Sequence, residues 1–391
     1  MTTPFSDRIN DVPRSFIREI LKVAVEDDII SFAGGLPNRD LFPVRQIRDA
    51  AVSVLDNDGG AVLQYSNSEG YLPLREWIAN RYRQQGLEID PDNILITTGS
   101  QQGLDLLGKT LLNEGDPVAM EEPGYLGAIQ AFAVYRARYH AVPVDHRGAD
   151  VERLQQVVDH HQPKLFYTVP NFQNPSGISY SDENRRSVAD CLQGSGTRLI
   201  EDDPYGELRF AGTPATPFKK LLPEQTVLLG SFSKIVAPSF RLGWLVAEGE
   251  LMQKLLIAKQ ATDLHTPYIT QRILYQYLSD HSIDEHIQLI RDHYGAQCQA
   301  MLHALSDTFG EACDFTRPQG GMFLWMTLPE HISSMDLFET AIQNKVAFVP
   351  GNPFYIDGRN CNTLRLNFSC SDAVEIREGV QRLARSLESL G

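Results

Sequence analysis

The sequence predicts an α/β fold, with one large domain around a mostly parallel seven-stranded sheet and a smaller α+β domain after it. Three observations carry that prediction. Seven short strand-like segments recur at Ile94–Thr98, Pro117–Glu121, Arg138–Val144, Lys164–Val169, Arg198–Asp202, Thr226–Gly230 and Leu242–Ala247. Helix-period stretches separate most of them, at Gln101–Leu112, Leu126–Tyr135, Val151–His160 and Asp182–Cys191, and such alternation builds a parallel sheet with helices on its faces. The last two segments follow each other without a helix, so one of them can run antiparallel. Beyond residue 250 the pattern changes to long helices, Leu251–Gln260, Ile269–Leu278 and His281–Phe309. Short strands at Gly321–Met326, Val346–Val349 and Thr363–Phe368 follow, then a closing helix from Ala373.

Ahead of the first strand, residues 1–45 read as an arm packed with the smaller domain. The arm holds an amphipathic segment, Phe16–Val25, and the loop Phe32–Asn38. Its Gly34-Gly35 pair before Pro37 suits a plain turn as well as a ligand loop. Helical spacing runs over Gln46–Leu55, and a further helix starts near Gly70 and reaches Gln85. The domain division that follows is 1–45 for the arm, 46–285 for the large domain and 286–391 for the small one.

Composition narrows the function classes. A chain with 42% hydrophobic and 22% charged residues is that of a soluble globular protein. Its formal net charge of −15 argues against nucleic acid, which needs clustered Lys and Arg, and against anionic membranes. The five cysteines are scattered, with no C-x-x-C pair, so neither a zinc site nor a disulfide framework is expected. No signal-peptide pattern opens the chain, and no apolar run approaches the ~18 residues that span a bilayer. A reducing cytoplasmic location is the expectation.

In open α/β sheets ligands bind beyond the carboxyl ends of the strands, and polar residues collect there. The first segment ends in Gly99-Ser100-Gln101-Gln102-Gly103, where a helix N-terminus offers free amides to an anion; simple capping by Ser100 explains it equally well. No Lys follows in Walker-A spacing. The second ends in Glu121-Glu122-Pro123-Gly124-Tyr125, and Tyr125 could stack on a flat ring or merely pack. After the fourth, Asn174 sits in a Pro/Gly-bounded turn, either as a donor to a ring hydroxyl or as an Asx-turn. The fifth ends in Glu201-Asp202-Asp203-Pro204-Tyr205. Three acids at a buried strand end are costly unless one meets a cation; nearby histidines are lacking for a metal.

The organising stretch follows the sixth segment: Ser231-Phe232-Ser233-Lys234, with Arg241 seven residues past the lysine. Two hydroxyls and a guanidinium can grip a phosphate, while the lysine beside them can form a Schiff base. Pyridoxal 5'-phosphate (PLP) carries both an aldehyde and a phosphate. An acid at Asp202 would hold the proton on its ring nitrogen, the charge that makes it an electron sink.

In that order these residues resemble the fold-type-I PLP enzymes, specifically the class I/II aminotransferases, and within them the 2-aminoadipate and kynurenine aminotransferase branch. The resemblance runs from Gly34-Gly35-Leu36-Pro37-Asn38 through Gln64-Tyr65-Ser66, Asn174-Pro175-Ser176-Gly177 and Ser231–Lys234 to Gly320-Gly321-Met322-Phe323 and Leu364-Arg365-Leu366-Asn367-Phe368. It implies Lys234 as the Schiff-base lysine and proton carrier, Asp202 on the pyridinium, Asn174 and Tyr205 on the ring oxygen, and Tyr125 on the ring face. Ser100, Gln101, Ser231, Ser233 and Arg241 would hold the phosphate. Tyr65 would reach that phosphate from a neighbouring subunit, which implies a homodimer with shared sites. Arg365 would clamp the substrate α-carboxylate, helped by Asn174 and the Gly35 backbone; an internal salt bridge is the plain alternative.

Two positions depart from the family pattern. Ser239 stands where glycine is usual, and Arg39 where proline is common. Arg18 matches an arm position that meets the substrate side chain in some relatives, although a surface helix arginine would look the same. The implied activity is a ping-pong exchange between an amino acid (aminoadipate-like, aromatic or branched aliphatic) and a 2-oxo acid, with 2-oxoglutarate as the expected acceptor. A β-lyase or decarboxylase on the same fold is the alternative. A sensor domain of a regulator is disfavoured, because only ~30 residues precede Gly34 and leave no room for a DNA-binding domain.

Overall fold

All seven expected strands belong to a single eight-stranded sheet. The computed structural model describes residues 4–10, 12 and 28–390. Its strands in chain order are β1 (Ile30–Ser31), β2 (Ile94–Thr97), β3 (Pro117–Glu122), β4 (Arg138–Asp145), β5 (Gly148–Ala149), β6 (Leu165–Thr168) and β7 (Arg198–Asp202). They continue as β8 (Thr226–Ser231), β9 (Gly243–Val246), β10 (Asp314–Phe315), β11 (Phe323–Thr327), β12 (Val346–Ala347), β13 (Val349–Pro350) and β14 (Thr363–Asn367). The large sheet has the order β2-β9-β8-β7-β6-β3-β4-β5.

Neighbours from β8 through β4 pair in parallel, while β9 runs antiparallel to both β8 and β2. The antiparallel member is therefore the last expected strand, which returns from β8 without a crossover helix. Because β9 reverses the direction twice, β2 points the same way as β8, and the loops after both open at one edge. The unexpected eighth strand, β5, is a two-residue return beside β4, too short to show a period.

Period-two alternation sorts the strand side chains onto two covered faces. Val118, Met120, Leu165, Tyr167 and Ile200 share a core with Leu104 and Leu107 of helix Ser100–Leu111 and Phe132 of helix Leu126–Ala133. Ala119, Phe166 and Leu199 point the other way, against Leu154 and Val157 of helix Val151–His161 and Val188 of helix Asp182–Leu192. Each fully buried Leu or Phe contributes roughly 1.5–3 kcal/mol. Caps start the second pair of helices: Asp150 accepts from the Arg153 amide at 2.9 Å and Ser181 from the Asn184 amide at 3.1 Å.

Helices Gly249–Asp263, Tyr268–Asp280 and Ile283–Phe309 follow the sheet. A second sheet, β10-β11-β14-β13, is antiparallel throughout. The single strand expected over Val346–Val349 is two: β12 pairs in parallel with β1 of the arm, and β13 pairs with β14. A change of partner within four residues leaves no mark on periodicity. Helix Ser334–Gln343, absent from the sequence reading, precedes them. The closing helix Ala373–Glu388 begins with a capping box, in which Asp372 accepts from the Glu375 amide at 2.9 Å and Glu375 accepts from the Asp372 amide at 3.1 Å. The amphipathic segment expected at Phe16–Val25 lies outside the described residues. Among those described, no helix is long and apolar enough to cross a membrane.

Candidate active site

The loops after β2, β3, β6, β7 and β8 enclose a cavity of about 510 Å³ at the common edge of the sheet. From them come Ser100 and Gln101, then Tyr125, then Asn174, then Asp202 and Tyr205, and finally Ser231, Ser233, Lys234 and Arg241. Gly35 of the arm and Arg365 of β14 close the opposite wall. All but two of the candidate residues thus line one cavity. Tyr65 does not: it is 80% exposed, with its ring edge-on to His265 at 5.9 Å. Arg18 lies outside the described residues.

Alternation along β7 separates the three acids. Glu201 shares a face with Leu199, and its carboxylate accepts from the Phe218 and Lys219 amides at 2.9 Å each, with Arg185 3.8 Å away. Asp203 accepts from the Gly206 amide at 2.9 Å. Asp202 turns to the cavity face, where one oxygen accepts from the Tyr167 hydroxyl at 2.7 Å and Oδ1 is buried without a partner among the described residues. Burial, reinforced by Asp203 and Glu121, pushes the Asp202 carboxyl up to about 7 against the pull of the Tyr167 hydroxyl. A buried carboxylate oxygen without a donor calls for a cationic N–H.

Lys234 donates from Nζ to the Gly35 carbonyl at 2.9 Å. Burial lowers its amine to about 8, and the guanidinium groups of Arg365 and Arg241 push the same way. Arg365 is itself buried, its Nη1 donating to Asn174 Oδ1 at 2.8 Å and its Nη2 to the Ala33 carbonyl at 2.7 Å. Its guanidinium carbon lies 4.4 Å from the Phe323 ring centroid, and Nε has no partner among the described residues. No carboxylate among the described residues pairs with it, so the plain salt-bridge alternative is not what the structure contains. Leu364, Leu366 and Phe368 point into the core as expected, which turns Arg365 to the cavity.

Three carbonyls pin the arm loop by accepting hydrogen bonds: Ala33 from Arg365, Gly35 from Lys234, and Leu36 from the Ser369 hydroxyl at 2.8 Å. A Cβ on Gly35 would stand 3.3 Å from the Phe323 ring, so glycine lets this loop approach the clamp. At the other end, the Ser100 and Gln101 amides have no acceptor among the described residues, and Ser231, Ser233 and Arg241 stand beside them in the cavity. Two free amides at a helix N-terminus, two hydroxyls and a guanidinium can hold a phosphate.

Of the two departures, Ser239 lies exposed in the turn Pro238–Phe240, and the left-handed residue there is Arg241 at φ 51°. A glycine is not required at 239. Arg39 is solvent-exposed, its Nε 3.9 Å from Asp40, and does not line the cavity.

Two supports of the site carry no local sequence signal. Tyr167 orients Asp202 from the neighbouring strand. Glu121 accepts from the Thr168 and Tyr180 hydroxyls at 2.6 Å each and from Gln173 Nε2 at 2.7 Å, which anchors the loop bearing Asn174. Tyr167 and Tyr180 come from strand and loop positions that only the fold makes adjacent to those acids.

The residues present fit PLP: an unpaired acid oxygen for a ring N–H, an amine of lowered basicity for the aldehyde, and an anion cradle for the phosphate. The model of the aminotransferase class I and II family matches residues 27–383. A 2-aminoadipate transaminase of Thermus thermophilus is 42% identical over 383 residues, covering 97% of this chain and 95% of its own. The crystal structure of an alpha-aminoadipate aminotransferase from Thermus thermophilus, complexed with N-(5'-phosphopyridoxyl)-L-leucine, matches with a TM-score of 0.91 at 41% identity, covering 99% of this chain and 97% of its own. A kynurenine aminotransferase structure from Pyrococcus horikoshii reaches 0.93 at the same identity and the same coverages. With the cavity chemistry and a nearly full-length match in agreement, the chain belongs to the aminotransferase class I and II family and is a PLP-dependent aminotransferase.

Proposed function

We propose that this cavity exchanges an amino group between an amino acid and a 2-oxo acid in two half-reactions, with the residue roles expected from the sequence. The observation that carries the reading is three groups in one cavity left incomplete among the described residues: an acid oxygen without a donor, an amine bound only to a carbonyl, and a guanidinium without a carboxylate. Each is costly alone, and each matches one group of a PLP–amino acid pair. When bound, PLP supplies an aldehyde for the substrate amine and a protonated ring that takes up charge from the substrate Cα.

The protein does the rest. Arg365 grips the α-carboxylate in bidentate fashion, with Asn174 beside it. Lys234 Nζ removes the Cα proton, an amine basicity near neutral pH suiting a general base. Asp202 keeps the ring nitrogen protonated, Asn174 and Tyr205 hold the ring oxygen, and Tyr125 covers the ring. Ser100, Gln101, Ser231, Ser233 and Arg241 fix the phosphate, and Tyr65 of a neighbouring copy completes it in a homodimer. Tyr65 is exposed two residues from the exposed Leu63, and its ring meets His265, the neighbour in sequence of the exposed Leu264, which supports the last role.

Aminoadipate-like, aromatic and branched aliphatic donors, with 2-oxoglutarate as acceptor, are supported by the named activities of the relatives and by the phosphopyridoxyl-leucine in one of them. The arm 1–45 and residues 286–391 form the smaller domain around the large one, 46–285, a division supported by the β1–β12 pairing. Five unpaired cysteines suit the reducing cytoplasm. Lys234→Ala is expected to lose both the visible band of the bound cofactor and transamination; a fully active variant refutes the assignment. Pyridoxamine phosphate formed on adding amino acid alone separates transamination from β-elimination and decarboxylation, and a panel of amino acids scored this way names the donor.

A further inference from the structure

Behind the phosphate end of the cavity lies a polar network around a buried lysine that the roles above leave unused. Lys259, near the end of helix Gly249–Asp263, has a side chain with 0% exposure. An ammonium withdrawn from water needs every donor matched. Lys259 Nζ donates to Gln102 Oε1 at 2.8 Å, to Thr266 Oγ1 at 3.0 Å and to Asp263 Oδ1 at 2.5 Å. Its three hydrogens are spent, and it does not line the cavity.

Gln102 transmits this arrangement. Its Oε1 also accepts from the Thr98 amide at 2.8 Å, and its Nε2 donates to Asp263 Oδ2 at 2.8 Å. The amide orientation is therefore determined, because a flip would set its NH2 against both the ammonium and the Thr98 N–H. Thr98 is tied a second time, its hydroxyl donating to Asp263 Oδ2 at 3.3 Å. Its carbonyl in turn accepts from Arg241 Nη2 at 3.2 Å. The next residues are left-handed Gly99, at φ 75°, and then Ser100 and Gln101 with their free amides.

We propose that Lys259, Asp263 and Gln102 are positioning residues for phosphate recognition, which hold Thr98 and through it set both the Arg241 guanidinium and the first amides of helix Ser100–Leu111. The proposal rests on the PLP reading of the cavity. A merely structural role, tying helix Gly249–Asp263 to β2, would affect all ligands or none. The positioning role affects those with a phosphate.

The test titrates cofactor-free protein with PLP and, separately, with pyridoxal, which has the ring and aldehyde but no phosphate. Gln102→Met removes the link while leaving the Lys259–Asp263 ion pair to keep the fold, and Lys259→Met removes the ammonium. Both variants are expected to bind PLP about tenfold or more weakly, the effect of losing one charge-assisted hydrogen bond, while pyridoxal affinity stays within about twofold. Inorganic phosphate should compete correspondingly less well. Unchanged PLP affinity in Gln102→Met, or equal losses for PLP and pyridoxal, overturns the proposal. Should the unaltered protein bind PLP no better than pyridoxal, the phosphate reading itself fails and takes the proposal with it.

Discussion

In its proposed role Lys234 has to be an amine, not an ammonium, to attack an aldehyde, and its surroundings favour the amine. Burial comes first among the causes that lower it to about 8, with the charges of Arg365 and Arg241 behind. Capture of PLP by the cofactor-free protein should therefore accelerate as pH rises and level off above about 8. A stopped-flow profile of the visible band that stays flat between about pH 6 and 9 contradicts this. The same shift has a stability sign. Between about 8 and the ordinary lysine value of 10.5 the unfolded chain holds a proton that the folded one has released, so this group's contribution to stability improves as pH rises through that window. Asp202 is displaced in the opposite direction, and a pyridinium beside it would draw it back down. Both residues were legible as chemistry from their types and strand-end positions. Tyr167, which orients Asp202, was not, because its role depends on β6 pairing beside β7.

At the scale of elements, the sheet edge works because glycines let loops close on one another. A Cβ on Gly99 would meet Arg241 Nη2 at 2.5 Å, and its φ of 75° is one that L side chains resist. Gly99→Ala is expected to cost roughly 1–3 kcal/mol through the strained backbone and to weaken PLP binding by displacing Arg241. Thermal unfolding and a PLP titration check the two effects, and an unshifted midpoint with intact affinity counts against the packing argument. Gly230 makes the equivalent allowance for Trp244, whose indole would lie 2.2 Å from an added Cβ. The seven main strands were readable because most are apolar runs buried on both faces. Two-residue strands such as β5 and β10 carry no such run. Helix Ser334–Gln343 did carry a signal, with a Ser333 cap and buried Leu337 and Ala341 four apart, but a short element among short strands competes poorly with its neighbours' pattern.

For the whole molecule, the cavity of one chain is assembled from residues over 300 positions apart, Ala33 against Arg365, and Tyr65 stands outside it. In the proposed homodimer Tyr65→Phe should weaken PLP retention by roughly tenfold, one hydrogen bond to a charged group, without changing the dimer's mass. Equilibrium dialysis and light scattering read the two quantities, and unchanged retention argues against a shared site. The sequence by itself determined the fold class, the family and the chemical inventory, because strand periodicity and the lysine, acid and arginine at their strand ends are local properties. Which acid of Glu201-Asp202-Asp203 keeps an unpaired oxygen, whether Arg365 meets a carboxylate, and what Lys259 supports were decided by the tertiary structure. Each depends on partners distant in sequence, and burial sets the cost of lacking one.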